Sequence, residues 1–216
     1  MRLIVFVMIP ITALTMIVPT ESVALLFPTF DPSAIDETAA TLLAFALGIT
    51  AHALIAVLAR AFYARQDTVT PVIAAIVAVV INTTLAALLV GPLGLPGMAL
   101  AIAIAAWLEA ALLLILLVKG VHGLGLPVVA SVAARTLLAT VPAAIVGVVT
   151  ETIVGGALLG DVSTGVRAIP GLAVTILAVA ATFGVVFLVA ALALRITELR
   201  SIVEVMVDAL RRPRRT

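Results

Sequence analysis

The sequence predicts an all-α, polytopic transmembrane helical bundle, with six spans, both termini cytoplasmic and a C-terminal amphipathic helix. Three observations predict it. First, 64% of the 216 residues are apolar and 11% are charged, against roughly half and about a quarter in a soluble domain. Such a chain cannot cover its surface with water-compatible side chains, which excludes a soluble globular domain, a disordered chain and a nucleic-acid-binding module. Second, the charges are spaced to leave uncharged runs of membrane-spanning length. Third, nearly all basic residues fall on one side of the spans that those runs define.

A span needs roughly 20 mostly apolar residues to cross the hydrocarbon. The uncharged runs from Leu3 to Thr20 and from Thr38 to Ala59 give the first two. Arg2, the first run and Ser22-Val23-Ala24 also resemble a secretory signal, but the run is long for one, so it is read as a span. The 41 uncharged residues from Thr68 to Leu108 are too many for one span. Within them Gly91-Pro92-Leu93-Gly94-Leu95-Pro96-Gly97 breaks a helix, so spans at about 71–90 and 97–118 join through a tight turn. After Lys119 and a short Gly-rich piece comes a fifth span near 130–150. Residues 151–168 read as a mixed loop, and Ala168 to Leu194 as the sixth span. Pro10, Pro19 and Pro142 read as kinks of the kind membrane helices tolerate.

Orientation follows from the basic residues. Arg2, Arg60, Arg65, Lys119, Arg135 and the six arginines from Arg195 onward share one side, which makes 11 of the 12. Arg167 stands opposite, with the acidic first loop of Asp31, Asp36 and Glu37. An even number of spans with cytoplasmic termini satisfies this pattern. In the tail, Ile196, Leu199, Val203, Met206 and Leu210 recur at helical spacing, with Arg200/Glu204 and Asp208/Arg212 as i,i+4 pairs. Four arginines close the run. The tail reads as a helix on the inner leaflet, as a topology anchor, or as both.

Functional signals are sparse in chemistry. The chain has no Cys, hence no thiolate nucleophile and no Cys metal site, and His52 and His122 are too far apart for a metal cluster. The acidic first loop has no matching nucleophile or His. The most informative stretch is Ala59-Arg60-Ala61-Phe62-Tyr63-Ala64-Arg65-Gln66-Asp67-Thr68-Val69-Thr70-Pro71. Here Phe62 and Tyr63 suit the headgroup zone, Arg60 and Arg65 hold the loop inside, and Thr70-Pro71 reads as N-cap and N1 of the next helix, with Asp67 adding negative charge at its start.

This loop, together with Asn82 in the following span, the Gly91 to Gly97 turn and the Ala- and Leu-rich span after it, closely resembles the signature of the MurJ/MviN family, bacterial lipid II flippases of the MOP exporter superfamily. Arg2-Leu3, Ile9-Pro10 and Leu25-Leu26-Phe27 also fit. The resemblance is strong over 59–119 and weak over 120–216, where mainly hydropathy and the basic tail agree. It implies a fourteen-helix protein of which these spans match the last six. Residues 1–118 would be four helices of the second lobe, 119–194 two additional C-terminal helices that help form a lipid-tail groove, and 195–216 a cytoplasmic basic tail. The first eight helices, with the family's cationic substrate cluster, have no counterpart here. The chain then resembles the C-terminal portion of a flippase, a fragment or one half of a split protein, in the bacterial inner membrane. The implied partners are a lipid-linked peptidoglycan precursor, membrane lipids and the missing N-terminal lobe, in the same polypeptide or a separate subunit. A scaffold role, or another MOP-type polysaccharide-lipid exporter, is the alternative. No cofactor, metal or covalent chemistry is implied, and the membrane potential or a monovalent cation is left as the driving force.

An ionisable group at membrane depth is a functional candidate by default. Glu109 lies beside a small-residue stripe of Ala99, Ala103, Ala106 and Ala110 that marks close helix packing. It is either a proton or cation site coupled to transport, or a side chain that reaches the inner interface or pairs with Arg135. His52 is a relay candidate or a simple interhelical donor. Asn82, Thr83 and Thr84 form a polar band that either lines a cavity or bonds between helices. Arg60, Tyr63, Arg65, Asp67 and Arg135 are the substrate or gating candidates, each with a topology or snorkelling alternative.

Overall fold

The structure, a computed structural model, describes residues 1–120, 126–159, 165–196 and 198. Among these the chain is helical throughout, with no strand. The helices are α1 (Arg2–Ile17), α2 (Pro19–Leu26), α3 (Pro32–Tyr63), α4 (Val69–Leu93), α5 (Leu95–Gly120), α6 (Leu126–Leu159) and α7 (Ile169–Ala193). Five are long and apolar enough to cross a membrane by themselves, and the bent pair α1–α2 makes a sixth where it is counted as one span. The expected all-α polytopic bundle is therefore what the chain forms. Most of the amphipathic tail expected over 195–212 lies outside the described residues.

Three local differences from the sequence reading have physical causes. The first span is broken rather than kinked. Helix α1 runs unbroken through Pro10, but Val18 leaves helical geometry (φ −120°, ψ 45°) and Pro19 starts α2, at 74° to α1. Pro at N1 forfeits no hydrogen bond, so a new helix begins there easily. The α4–α5 turn is tighter than the Gly/Pro cluster implied: α4 continues through Gly91 and Pro92, and the chain reverses at Gly94 alone (φ 63°), a conformation open to glycine. The expected loop at 151–168 is helical as far as Leu159. Its Gly155 is a packing position, where a Cβ would sit 3.7 Å from Thr175 of α7.

Two groups of helices result. Helices α3, α4 and α5 pack together, and α1, α6 and α7 pack together, with α2 bridging α3 and α7. Helices α3 and α5 approach closely, since a Cβ on Gly48 would lie 3.0 Å from the Ala103 Cα. This is how small residues bring membrane helices together. At the cytoplasmic end Leu58, Phe62, Ala74, Leu113 and Leu117 form one core. Phe6, Ala139, Ala143, Phe183 and Phe187 hold the second group.

Candidate functional site

Between the two groups, α1, α3, α5 and α6 leave a cavity of ≈ 980 Å³. That is at the upper end of the usual range for ligand pockets. Its walls are apolar: Val5, Ile9 and Met16 of α1, Leu47, Leu54 and Leu58 of α3, Ile104, Trp107 and Leu114 of α5, and Val129, Ala133 and Leu137 of α6. Among the described residues no charged side chain lines it, and its polar side chains are engaged with the protein. The Thr12 and Thr50 hydroxyls are hydrogen-bonded at 3.0 Å. Thr140 donates to the Thr136 carbonyl at 2.8 Å, and Trp107 Nε1 donates to the Leu47 carbonyl at 2.9 Å. Walls of this chemistry are compatible with aliphatic chains. They offer nothing to a phosphate or sugar, and no acid, base or nucleophile.

The polar candidates inside the membrane lie off this cavity. Because α3 and α5 run parallel with Gly48 against Ala103, His52 comes level with Trp107 and close to Glu109. Trp107 borders the cavity on one side of the α3–α5 contact, whereas neither His52 nor Glu109 is among the cavity's walls. His52 stacks on Phe45 with ring centroids 6.1 Å apart, and it is the ionisable group nearest in electrostatic effect to half-buried Glu109. The electrostatic partner of Glu109 is thus on α3. Arg135 stands exposed on α6. In the polar band, Thr83 and Thr84 donate back to the Val79 and Val80 carbonyls at 2.9 and 2.8 Å. The Asn82 carbonyl oxygen is buried without a hydrogen-bond partner.

The cytoplasmic loop is built by helix-end chemistry. Helix α3 closes with the Asp67 N–H on the Phe62 carbonyl at 3.1 Å and the Gln66 N–H on the Tyr63 carbonyl at 2.9 Å. Gln66 takes the left-handed position (φ 60°) where glycine usually stands. Helix α4 starts at Val69 after Thr68 as its N-cap residue, two residues earlier than the Thr70 cap and Pro71 start expected from sequence, and Asp67 just ahead of it serves the first turn. Asp67 Oδ1 accepts the Thr70 N–H at 3.0 Å and Oδ2 accepts the Thr70 hydroxyl at 2.7 Å. These bonds, from the backbone first and then the hydroxyl, hold the Asp67 carboxyl below the ordinary carboxylate value, and the Arg65 charge is the smallest contribution. Arg65 Nη2 donates to the Gly120 carbonyl at 3.2 Å, which ties the loop to the end of α5. Arg60 and Tyr63 are exposed.

Sequence reasoning missed the cavity walls, because apolar residues in an apolar sequence carry no mark. Among the described residues no group of three or more His, Asp or Glu is placed to hold a metal ion.

A bundle of five or six apolar helices of membrane-crossing length defines a multi-pass integral membrane protein. The chain matches the family Lipid II flippase MurJ over residues 1–164. It belongs to that family, which comprises transporters rather than enzymes. It is 36% identical over 123 residues to a probable lipid II flippase MurJ of Vibrio cholerae serotype O1, covering 56% of this chain and 23% of that protein. Similar proteins of the same description occur in Rhizobium tropici (40% over 103 residues, 48% of this chain, 19% of that protein) and Rhizobium meliloti (32% over 142 residues, 64% and 26%). The chain spans about a quarter of the length of these relatives.

Proposed function

We propose that this chain supplies the C-terminal portion of a lipid II flippase of the bacterial inner membrane, which moves a lipid-linked peptidoglycan precursor from the inner to the outer leaflet by alternating access. The observation that carries this reading is the apolar chamber at α1, α3, α5 and α6 in a chain whose family match runs through those helices. The chamber takes the hydrocarbon tail. The charged headgroup needs cationic residues that these walls lack, and the missing N-terminal lobe supplies them, in the same polypeptide or as a separate subunit. Helix α4 favours such a lobe: Val72, Ile76 and Val80 are all more than half exposed, and α4 packs on α5 with little else. No cofactor enters the reading. The membrane potential or a monovalent cation acts on the His52–Glu109 pair, and Arg60, Arg65 and Arg135 face the inner leaflet.

The test is translocation of lipid II in cells whose only flippase is the polypeptide carrying this chain, read by the accessibility of the lipid to an external probe. Ala133→Trp, which fills the chamber from α6, should abolish translocation while the protein remains in the membrane at wild-type amount. Undiminished translocation by a correctly folded Ala133→Trp protein would refute the chamber's role.

A further inference from the structure

The chamber is closed by packed helices on every side but one. Helix α1 packs on both α3 and α6, and α3 packs on α5. Side chains three or four apart lie side by side on a helix. On α5, wall residues Ala103 and Ala110 adjoin buried Ala106 and Leu113 in this way, and on α6 Thr140 adjoins buried Thr136 and Ala143. Among the described residues no such seam joins α5 to α6. At that edge wall residues Ile104 and Ala111 of α5 adjoin Leu108 and Ile115, and Ala130 and Leu137 of α6 adjoin Ala134 and Val141. All four of these neighbours are exposed. The chamber wall therefore passes into outer surface on both helices, and the opening between α5 and α6 is a lateral slot.

The slot opens at membrane depth. On α1 the chamber wall extends from Met1 to Met16, about 22 Å at ~1.5 Å per residue, against ~30 Å of hydrocarbon. Glu109 and Arg135 stand near it in sequence but not in space. Each is two residues from a wall residue, Trp107 and Ala133, which puts it about 200° round its helix, on the face turned from the chamber. What fills a space of ≈ 980 Å³ is decided by its walls and by what borders its mouth. Water is held in a cavity by about two to four polar partners, and the polar side chains of this one are bonded to the protein. Apolar walls gain dispersion contacts from apolar atoms. The matter that borders a charge-free mouth between two membrane spans is the hydrocarbon of the bilayer.

We propose that the α5–α6 slot is a lateral lipid site, through which an acyl chain of a bilayer phospholipid reaches into the chamber and lies against Trp107. The headgroup stays in the surrounding bilayer, because the walls offer it no polar or charged partner. Trp107 gives the chain a fixed surface. Its Nε1 bond to the Leu47 carbonyl at 2.9 Å pins the ring to α3, in the middle of the α5 wall between Ala103 and Ala111, so it does not swing across the slot. The site goes beyond the function proposed above, since its ligand is the membrane itself and no translocation is involved.

Trp107, the single tryptophan of the chain, serves as the reporter. The complete polypeptide, with any other tryptophans changed to Phe, is reconstituted in vesicles of phosphatidylcholine whose acyl chains carry bromine, a contact quencher of indole, and in the same lipid without bromine. Trp107 emission should fall severalfold in the brominated vesicles. Ala133→Phe, which fills the chamber from α6, should restore most of the emission, and Ala111→Phe, which narrows the slot, should restore part of it. Leu108→Phe, outside the wall, should leave the quenching as it was. Equal emission in the two lipids overturns the proposal, and means that protein from elsewhere in the polypeptide covers the slot. Quenching that Ala133→Phe and Ala111→Phe both leave unchanged also overturns it, because the chain then lies outside the chamber. Lipid II plays no part in the readout, so this result and a failure of the proposed function are read separately.

Discussion

Gly97→Ala and Gly91→Ala should separate in stability although the two glycines flank the same turn. A Cβ on Gly97 would overlap the Leu89 carbonyl oxygen, with the carbonyl carbon at 2.8 Å and Leu93 Cβ at 3.0 Å. Carbon–carbon contacts are optimal at about 3.5–4.0 Å, so close to 1 Å of clearance is missing. The obstruction is the backbone of α4, which cannot rotate aside as a side chain can. Helix α4 would have to retreat from α5, loosening the packing that buries Pro71, Ala74 and Ala78. Forced overpacking of this kind costs about 1–3 kcal/mol. Against it stands the helical preference for Ala over Gly, up to about 1 kcal/mol. At Gly91 a Cβ meets nothing within 4 Å. Each glycine lies in a terminal turn of its helix, so the preference largely cancels in the comparison. The variants should differ by the overpacking cost, about 1–3 kcal/mol. Reversible unfolding in mixed micelles measures this, with the expected order Gly91→Ala at or above wild type and Gly97→Ala below it. A Gly97→Ala protein as stable as Gly91→Ala would refute the backbone contact between α4 and α5.

Asp67→Ala should lower the thermal midpoint at neutral pH and have no effect well below the carboxylate range. Because hydrogen bonds from Thr70 depress the folded-state value, the cap contributes above the unfolded value and is lost as pH falls through the folded one. Thermal scans of both proteins across that range check it. Glu109→Gln should abolish transport by the complete protein without lowering its amount in the membrane, and His52→Gln should weaken transport in the same assay. A loss of folded protein instead would assign Glu109 to packing.

Much of the fold was legible because the bilayer punishes charge and unpaired backbone alike, so the charges bracket the spans. What failed to read were residues whose meaning depends on the solvent. Gly155-Gly156 and Gly91-Pro92 signal a break in a soluble chain. Here the first pair lies inside α6 and the second inside α4, because an apolar surround leaves the backbone no partner but its own helix. Ending the fifth span at residue 150 put Glu151 in a loop, whereas it lies inside α6. Pro10 and Pro19 look alike in sequence, but only Pro19 coincides with a departure from helical geometry, at Val18. Asp67 was legible as a helix-start charge. Its bond to Thr70 took the particular turn made by Gln66.

The α3–α5 pair gives the proposed function its physical economy. Its contact is set by Gly48 against Ala103, with the Cβ position 3.0 Å from backbone, and packed interiors of this kind do not deform continuously. One flank of the pair borders the apolar chamber through Leu47, Leu54 and Trp107. The polar residues His52 and Glu109 stand off the chamber. On the proposed function, a change of charge on Glu109 that cannot spread α3 from α5 would instead tilt the pair as one body, against α4 or against α1 and α6, and tilting toward or away from α1 and α6 would change the chamber's width. In this reading a polar group that never touches the lipid tail still sets the room available to it, which is why Glu109→Gln is expected to act on transport rather than on the amount of protein.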